Sequence, residues 1–114
     1  MRVLVIDDDE RMLRCIERMM RRDGCEVVTA GSAREAFTLL AGSRFDVIVC
    51  DVHLGDLRGA TFLEKLSPLD AQKVVFITGG ACDEADIEFL AKRRVTYKPF
   101  GAAELFDAVL QAAH

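Results

Sequence analysis

Short apolar runs alternate along this chain with stretches whose apolar residues recur at helical spacing, and that alternation leaves few folds open. The runs fall at residues 2–6, 25–30, 45–50, 73–77 and 94–97. Most are apolar nearly throughout, as strands covered on both faces must be. Between them, Met12, Leu13, Ile16, Met19 and Met20 form a helical stripe, with Gly24 placed where a left-handed helix end would sit. Ser32 and Glu35 make a capping box that opens a second helix, with Ala36, Phe37 and Leu40 inward and Gly42 at its end. Phe62, Leu63 and Leu66 predict a short third helix ahead of Pro68. Asp83 is placed to cap a fourth helix that carries Ile87 and Leu90 inward, and Leu105, Phe106, Val109 and Leu110 line a fifth.

Five β/α units joined by right-handed crossovers predict a flavodoxin-like α/β fold, a doubly wound (βα)5 sheet of parallel strands in order 2-1-3-4-5 with helices on both faces. A chain of 114 residues that is 51% hydrophobic fills one core, so residues 1–114 are expected to form a single domain with no effector domain attached. Lys and Arg total 15 against 19 Asp and Glu, a net charge of −4. That balance gives no overall basic footprint for nucleic acid or an anionic membrane. No charged leader precedes the first apolar run, and no apolar stretch approaches the roughly 20 residues needed to span a bilayer. Cys15, Cys25, Cys50 and Cys82 match neither a redox pair nor a zinc-ligand spacing, and read as reduced, mostly buried thiols of a cytoplasmic protein.

In an open parallel sheet, ligands bind beyond the carboxyl ends of the strands, near the point where strand order reverses. The first strand runs into Asp7, Asp8 and Asp9, the third into Asp51, the fourth into Thr78 and the fifth into Lys98. Asp9 reads as a helix cap. Asp7, Asp8 and Asp51 bring three negative charges against the single charge of Lys98, a shortfall that a divalent cation would meet. Carboxylate oxygens without Cys or a His pair favour magnesium, with manganese able to substitute. Such a pocket suits phosphoryl transfer, which is mostly positioning and charge neutralisation, and a carboxylate can be the nucleophile. Asp51 stands alone at the end of the central strand, whereas Asp7 and Asp8 are adjacent and better arranged to hold an ion. Thr78 offers a hydroxyl, Gly79 and Gly80 let the backbone approach closely, and Lys98 pairs with phosphoryl charge.

The segments VLVIDDDE, VIVCDVHLGDLRG, VVFITGG and YKPF resemble, in order and separation, the signature segments of response-regulator receiver domains of two-component phosphorelay systems. The resemblance implies that Asp51 is the phosphoacceptor and that Asp8, Asp51 and the backbone carbonyl of His53 bind magnesium, with Asp7 acting through a water. It implies that Thr78 and Lys98 contact the phosphoryl group, and that a cis Lys98–Pro99 bond aims the lysine inward. The donor would be a phosphohistidine on a histidine kinase or a phosphotransfer protein. The domain itself would catalyse only its own phosphorylation and a slow self-dephosphorylation. His53 and Gly80 occupy positions that tune the lifetime of the phosphorylated state, and the surface of the fourth helix, fifth strand and fifth helix would carry the output and could form a homodimer.

Several positions depart from the family pattern. Gly55 replaces a usual proline, which predicts a looser loop. Val95 replaces a usual aromatic residue, and the aromatic is instead Tyr97, so coupling between Thr78 and an inward-moving ring is in question. Thr78 and Lys98 lie only twenty positions apart, which predicts a shortened fourth helix. Val95 also leaves open a phosphorylation-independent pseudo-receiver that acts as a binding module. A phosphatase of the haloacid dehalogenase type would use Asp7 as nucleophile with Asp9 in support. It needs Thr or Val where Arg11 stands, and a later acidic pair that does not follow Lys98.

Overall fold

A computed structural model describes residues 1–79, 84–98 and 100–113. Its elements run β1 (Arg2–Ile6), α1 (Glu10–Arg22), β2 (Glu26–Ala30), α2 (Ala33–Gly42), β3 (Val47–Asp51), α3 (Gly59–Glu64), α4 (Pro68–Ala71), β4 (Val74–Thr78), α5 (Glu84–Leu90), β5 (Val95–Tyr97) and α6 (Ala102–Ala113). All strand pairs are parallel, in the order β2-β1-β3-β4-β5. The fold is thus the flavodoxin-like one the alternation predicts.

Period-two alternation within the strands divides the core in two. Leu4 and Ile6 of β1, Ile48 and Cys50 of β3, and Val74 and Phe76 of β4 face Ala33 and Ala36 of α2, Phe62 of α3 and Leu90 of α5. Val3 and Val5, Val47 and Val49, and Val75 and Ile77 face Ile16 and Met20 of α1 and Leu105, Val109 and Ala112 of α6. Both faces are covered, which is why these strands carry almost no polar residue until their last position.

Local signals place the helix ends. Asp9 caps α1 by accepting from the backbone N–H groups of Arg11 and Met12, and Gly24 takes a positive φ of 84° just beyond the helix. Ser32 accepts from Glu35 N–H at 3.1 Å, but the return bond of Glu35 Oε2 goes to Gly31 N–H at 3.0 Å, one residue earlier than a standard capping box. Gly42 is the last residue of α2 rather than a left-handed stop, and the chain leaves extended at Ser43. Pro68 does more than follow a helix: Ser67 caps a new turn in which the proline takes a first-turn position, so α4 is an element the sequence reading did not anticipate. The fourth predicted helix is short, as expected, and corresponds to α5 with Leu90 buried. Its expected cap Asp83 lies outside the described residues, as does the side chain of Ile87. Of the described cysteines, Cys25 and Cys50 are buried free thiols, whereas Cys15 is exposed. No helix among the described residues is long and apolar enough to cross a membrane.

Candidate functional site

Strand order reverses between β1 and β3, whose register pairs Ile6 with Cys50. The next residues, Asp7 and Asp51, therefore emerge side by side at the carboxyl edge of the sheet. Asp7 is fully buried, Asp51 half-buried and Asp8 exposed, and carboxylate oxygens of the three lie within 4.8 Å of one another. Asp7 Oδ1 accepts from Asp9 N–H at 2.9 Å, and Asp51 Oδ1 accepts from His53 N–H at 3.1 Å.

Lys98 reaches this edge from the end of β5. Its Nζ donates to Asp51 Oδ2 at 3.2 Å and Asp7 Oδ2 at 3.5 Å, while its backbone N–H donates to the carbonyl of Thr78 at 2.7 Å. The lysine stem passes over Gly79. A Cβ at that position would lie 2.5 Å from Lys98 Cβ and 2.7 Å from its Cδ, so glycine opens the lane by which the ammonium enters the pocket. Thr78 is buried at the last position of β4. Gly55 serves the opposite wall, since a Cβ there would come within 3.3 Å of Asp8 Oδ2.

The electrostatics follow from this crowding. Burial, with the negative charge of Asp51 adding to it, raises Asp7 to about 6 against the lowering effects of Asp9 N–H and Lys98. Burial alone would lower Lys98, but Asp51 and Asp7 outweigh it and hold its ammonium above the ordinary range. The Cys50 thiol is pushed well up by burial and by the same two carboxylates, so it is inert packing. One lysine does not neutralise three carboxylates, and the hard oxygen donors together with a buried acid held near 6 fit a divalent cation such as magnesium.

Of the residues read from sequence, Asp7, Asp8, Asp51 and Lys98 converge, and Thr78 stands at the adjoining strand end. Gly80 and Pro99 lie outside the described residues, and with them the expected cis bond. Val95 is half-buried against the α2, α3 and α5 face, pairing with Phe76, whereas Tyr97 is 62% exposed. The His53 ring reaches α5, with Nε2 3.0 Å from Asp86 Oδ2.

Two residues around the site, Asp86 and Asp56, carried no signal in the sequence. Asp86 on α5 is buried and binds both His53 and the Arg58 guanidinium. Asp56, in the loop after β3, accepts from the backbone N–H groups of Ala33 and Arg34 at 3.0 Å each, which holds its carboxyl below the usual range. The same loop is closed by Leu54 N–H donating to Leu57 O at 3.0 Å and by a bridge between His53 and Arg58. These bonds tie a loop that Gly55 alone would leave loose.

Comparison with known proteins agrees with this geometry. Residues 3–110 match the family described as response regulator receiver domain. The chain is 34% identical over 113 residues to nodulation protein W of Bradyrhizobium diazoefficiens, covering 96% of this chain and 50% of that protein. It is 41% identical over 66 residues to the two-component response regulator ARR11 of Arabidopsis thaliana, covering 56% of this chain and 13% of that protein. The chain thus spans half or less of the length of these curated relatives. Among solved structures, a response regulator receiver domain protein from Clostridium thermocellum superimposes with a TM-score of 0.85 at 26% identity, covering 98% of this chain and 93% of that one. The chemotaxis response regulator CheY4 of Vibrio cholerae gives 0.82 at 26% identity, covering 97% of each chain.

Proposed function

The chain belongs to the family of response regulator receiver domains, the phosphoacceptor signalling domains of two-component systems, and we propose that Asp51 is the residue that accepts the phosphoryl group. A carboxylate oxygen of Asp51 attacks phosphorus of a phosphohistidine, the N–P bond breaks, and the electron pair stays on the imidazole nitrogen, which takes up a proton. Asp7, Asp8, Asp51 and the backbone carbonyl of His53 would hold magnesium or manganese, Asp7 through a water. Such an ion, when bound, neutralises carboxylate and phosphoryl oxygens that would otherwise repel. Lys98 supplies the remaining positive charge, and the hydroxyl of Thr78 receives a phosphoryl oxygen.

The observation that carries this reading is the contact of Lys98 Nζ with both Asp51 and Asp7 across the tips of three strands. It places a fixed cation beside the lone carboxylate of the central strand in a pocket that still holds excess negative charge. The donor is a histidine kinase or phosphotransfer protein, and residues 1–114 act as one receiver domain that catalyses only its own phosphorylation and slow dephosphorylation. The free thiols suit a cytoplasmic setting. The exposed Tyr97 lies on the α5, β5 and α6 surface, which suits output contacts or a homodimer.

Incubation with acetyl phosphate and magnesium, followed by peptide mass spectrometry, tests the assignment. A single added phosphoryl group on Asp51, lost in Asp51→Asn, is expected. Label at another residue, or equal labelling of the variant, overturns it. A complete lack of label, with no magnesium-dependent beryllofluoride binding, would favour a phosphorylation-independent binding module.

A further inference from the structure

Asp7, Asp8 and Asp51 are not held alike. Asp7 accepts from Asp9 N–H and Asp51 from His53 N–H, and Lys98 binds both. Asp8 is exposed, and among the described residues no hydrogen bond or ion pair fixes its carboxylate. It lies instead against the backbone of Gly55, where a Cβ would stand 3.3 Å from Asp8 Oδ2 and 3.9 Å from Asp8 Cβ. With no bond to hold it, this carboxylate takes its direction from packing, and so from where the loop after β3 lies.

Asp56, the residue after Gly55, fastens that loop. Its Oδ1 accepts from Ala33 N–H and its Oδ2 from Arg34 N–H, at 3.0 Å each, in the first turn of α2. Two charge-assisted bonds to two different atoms leave the carboxylate no free rotation, and the partial positive charge of the helix N-terminus adds to them. We propose that Asp56 is a positioning residue for the metal site: by pinning the loop to α2, it holds the Gly55 backbone against Asp8 and keeps that carboxylate beside Asp7 and Asp51. Carboxylate oxygens of those three residues lie within 4.8 Å of one another, as ligands of one magnesium ion must. Both Asp56 oxygens are engaged at α2, so the residue acts through Gly55 and not as a ligand. Without this anchor, the loop and Asp8 would have to be ordered as the ion binds, and affinity would fall.

This role rests on Asp8 being a magnesium ligand, as proposed above, and a metal-free readout separates the failure of one from that of the other. Calorimetric titration with magnesium chloride should give a dissociation constant raised ~10-fold in Asp56→Ala, the low end for groups that orient metal ligands. Asp56→Asn loses the same charge but keeps an oxygen that can accept from one of the two N–H groups, so it should fall between the parent and Asp56→Ala. Ser32→Ala removes another cap of the same helix, the bond from Glu35 N–H at 3.1 Å, and should bind magnesium as the parent does. In the metal-free chain, the side-chain carboxyl carbon signal of Asp8 in NMR should move in Asp56→Ala and stay in place in Ser32→Ala. Equal weakening in Asp56→Ala and Asp56→Asn would show that only the charge counts, and equal weakening in Ser32→Ala that any loosening of α2 suffices. Either result overturns the proposal, as does an unmoved Asp8 signal in Asp56→Ala. A parent that binds no magnesium overturns the metal site itself, and the Asp8 signal then still decides whether Asp56 positions that carboxylate.

Discussion

Replacing Asp7 with asparagine is expected to strengthen the fold at neutral pH even as it removes a carboxylate from the site. Burial lifts the Asp7 carboxyl from its ordinary 3.8 to about 6. For a group whose folded value is raised, the stabilising contribution belongs to the protonated form: it is complete below 3.8, shrinks between 3.8 and 6, and is gone above 6. A gap of roughly two pKa units at ~1.4 kcal/mol each means that ionised Asp7 costs the folded state about 3 kcal/mol near pH 7.5. Asparagine stays neutral, and its Oδ1 can still accept from Asp9 N–H, the bond Asp7 makes at 2.9 Å. Lys98 keeps its contact with Asp51 at 3.2 Å. The variant should therefore gain up to about 3 kcal/mol over the parent near pH 7.5, on the order of 10 °C in Tm, and almost nothing near pH 4. Urea unfolding of both proteins across that range, in the presence of a chelator, measures the difference. Added magnesium should stabilise the parent more than the variant, because only binding to the folded state shifts the equilibrium and the variant keeps fewer charges to hold the ion. A gain of equal size at both ends of the pH range, or a variant weaker than the parent at pH 7.5, would mean that the buried Asp7 charge does not weaken the fold.

Two further substitutions probe how the site is held. Gly79→Ala puts a Cβ where the Lys98 stem now lies at 2.5 Å, so it should slow labelling by acetyl phosphate ~10-fold or more through a displaced ammonium, with cooperative unfolding retained. Labelling at the parent rate would show that the lysine does not need that lane. Asp56→Ala removes the acceptor of two backbone N–H groups at the start of α2 and should cost about 1 kcal/mol in denaturant at neutral pH. That loss should shrink in acid, because a carboxyl held below its usual range stabilises the fold only while it is ionised. A cost independent of pH would point to some other function of the side chain.

What could be read from the sequence, and what could not, divides along a physical line. Once the chain is recognised as five parallel strands, the order of crossovers fixes which strand ends are neighbours, and the polar residue at each end needs no side-chain detail to be assigned. Asp7 and Asp51 follow a register pair, Ile6 with Cys50, and Lys98 follows Tyr97, which pairs with Thr78. Asp56 and Asp86 obey no such rule. Asp56 reaches α2 across more than twenty positions, and Asp86 reads on its own helix as one more acidic surface residue. Their partners depend on the path of the loop after β3, which no periodicity encodes. Nor could the sequence show that Pro68 opens a helix instead of only following one, since Ser67 as cap and proline in the first turn become visible only together.

That division bears on how a signal leaves the site. Val95 occupies the inward position on β5 and pairs with Phe76, whose ring in turn meets Phe89 of α5 edge-on at 5.2 Å between centroids. The aromatic packing behind Thr78 is thus supplied by α5, and Tyr97, the aromatic of β5, stands in solvent. At the other end of the same helix, Asp86 holds the loop that begins two residues after Asp51. α5 therefore touches the Asp51 side of the sheet through an ion pair and the core of the sheet through a ring. A change at Asp51 that draws on the His53 backbone bond must either break the contact to Asp86 or move the helix with it, and breaking it takes one partner from a buried carboxylate. Moving the short helix is the less costly response, which makes α5, rather than an inward-turning ring on β5, the element through which phosphorylation should be felt at the surface.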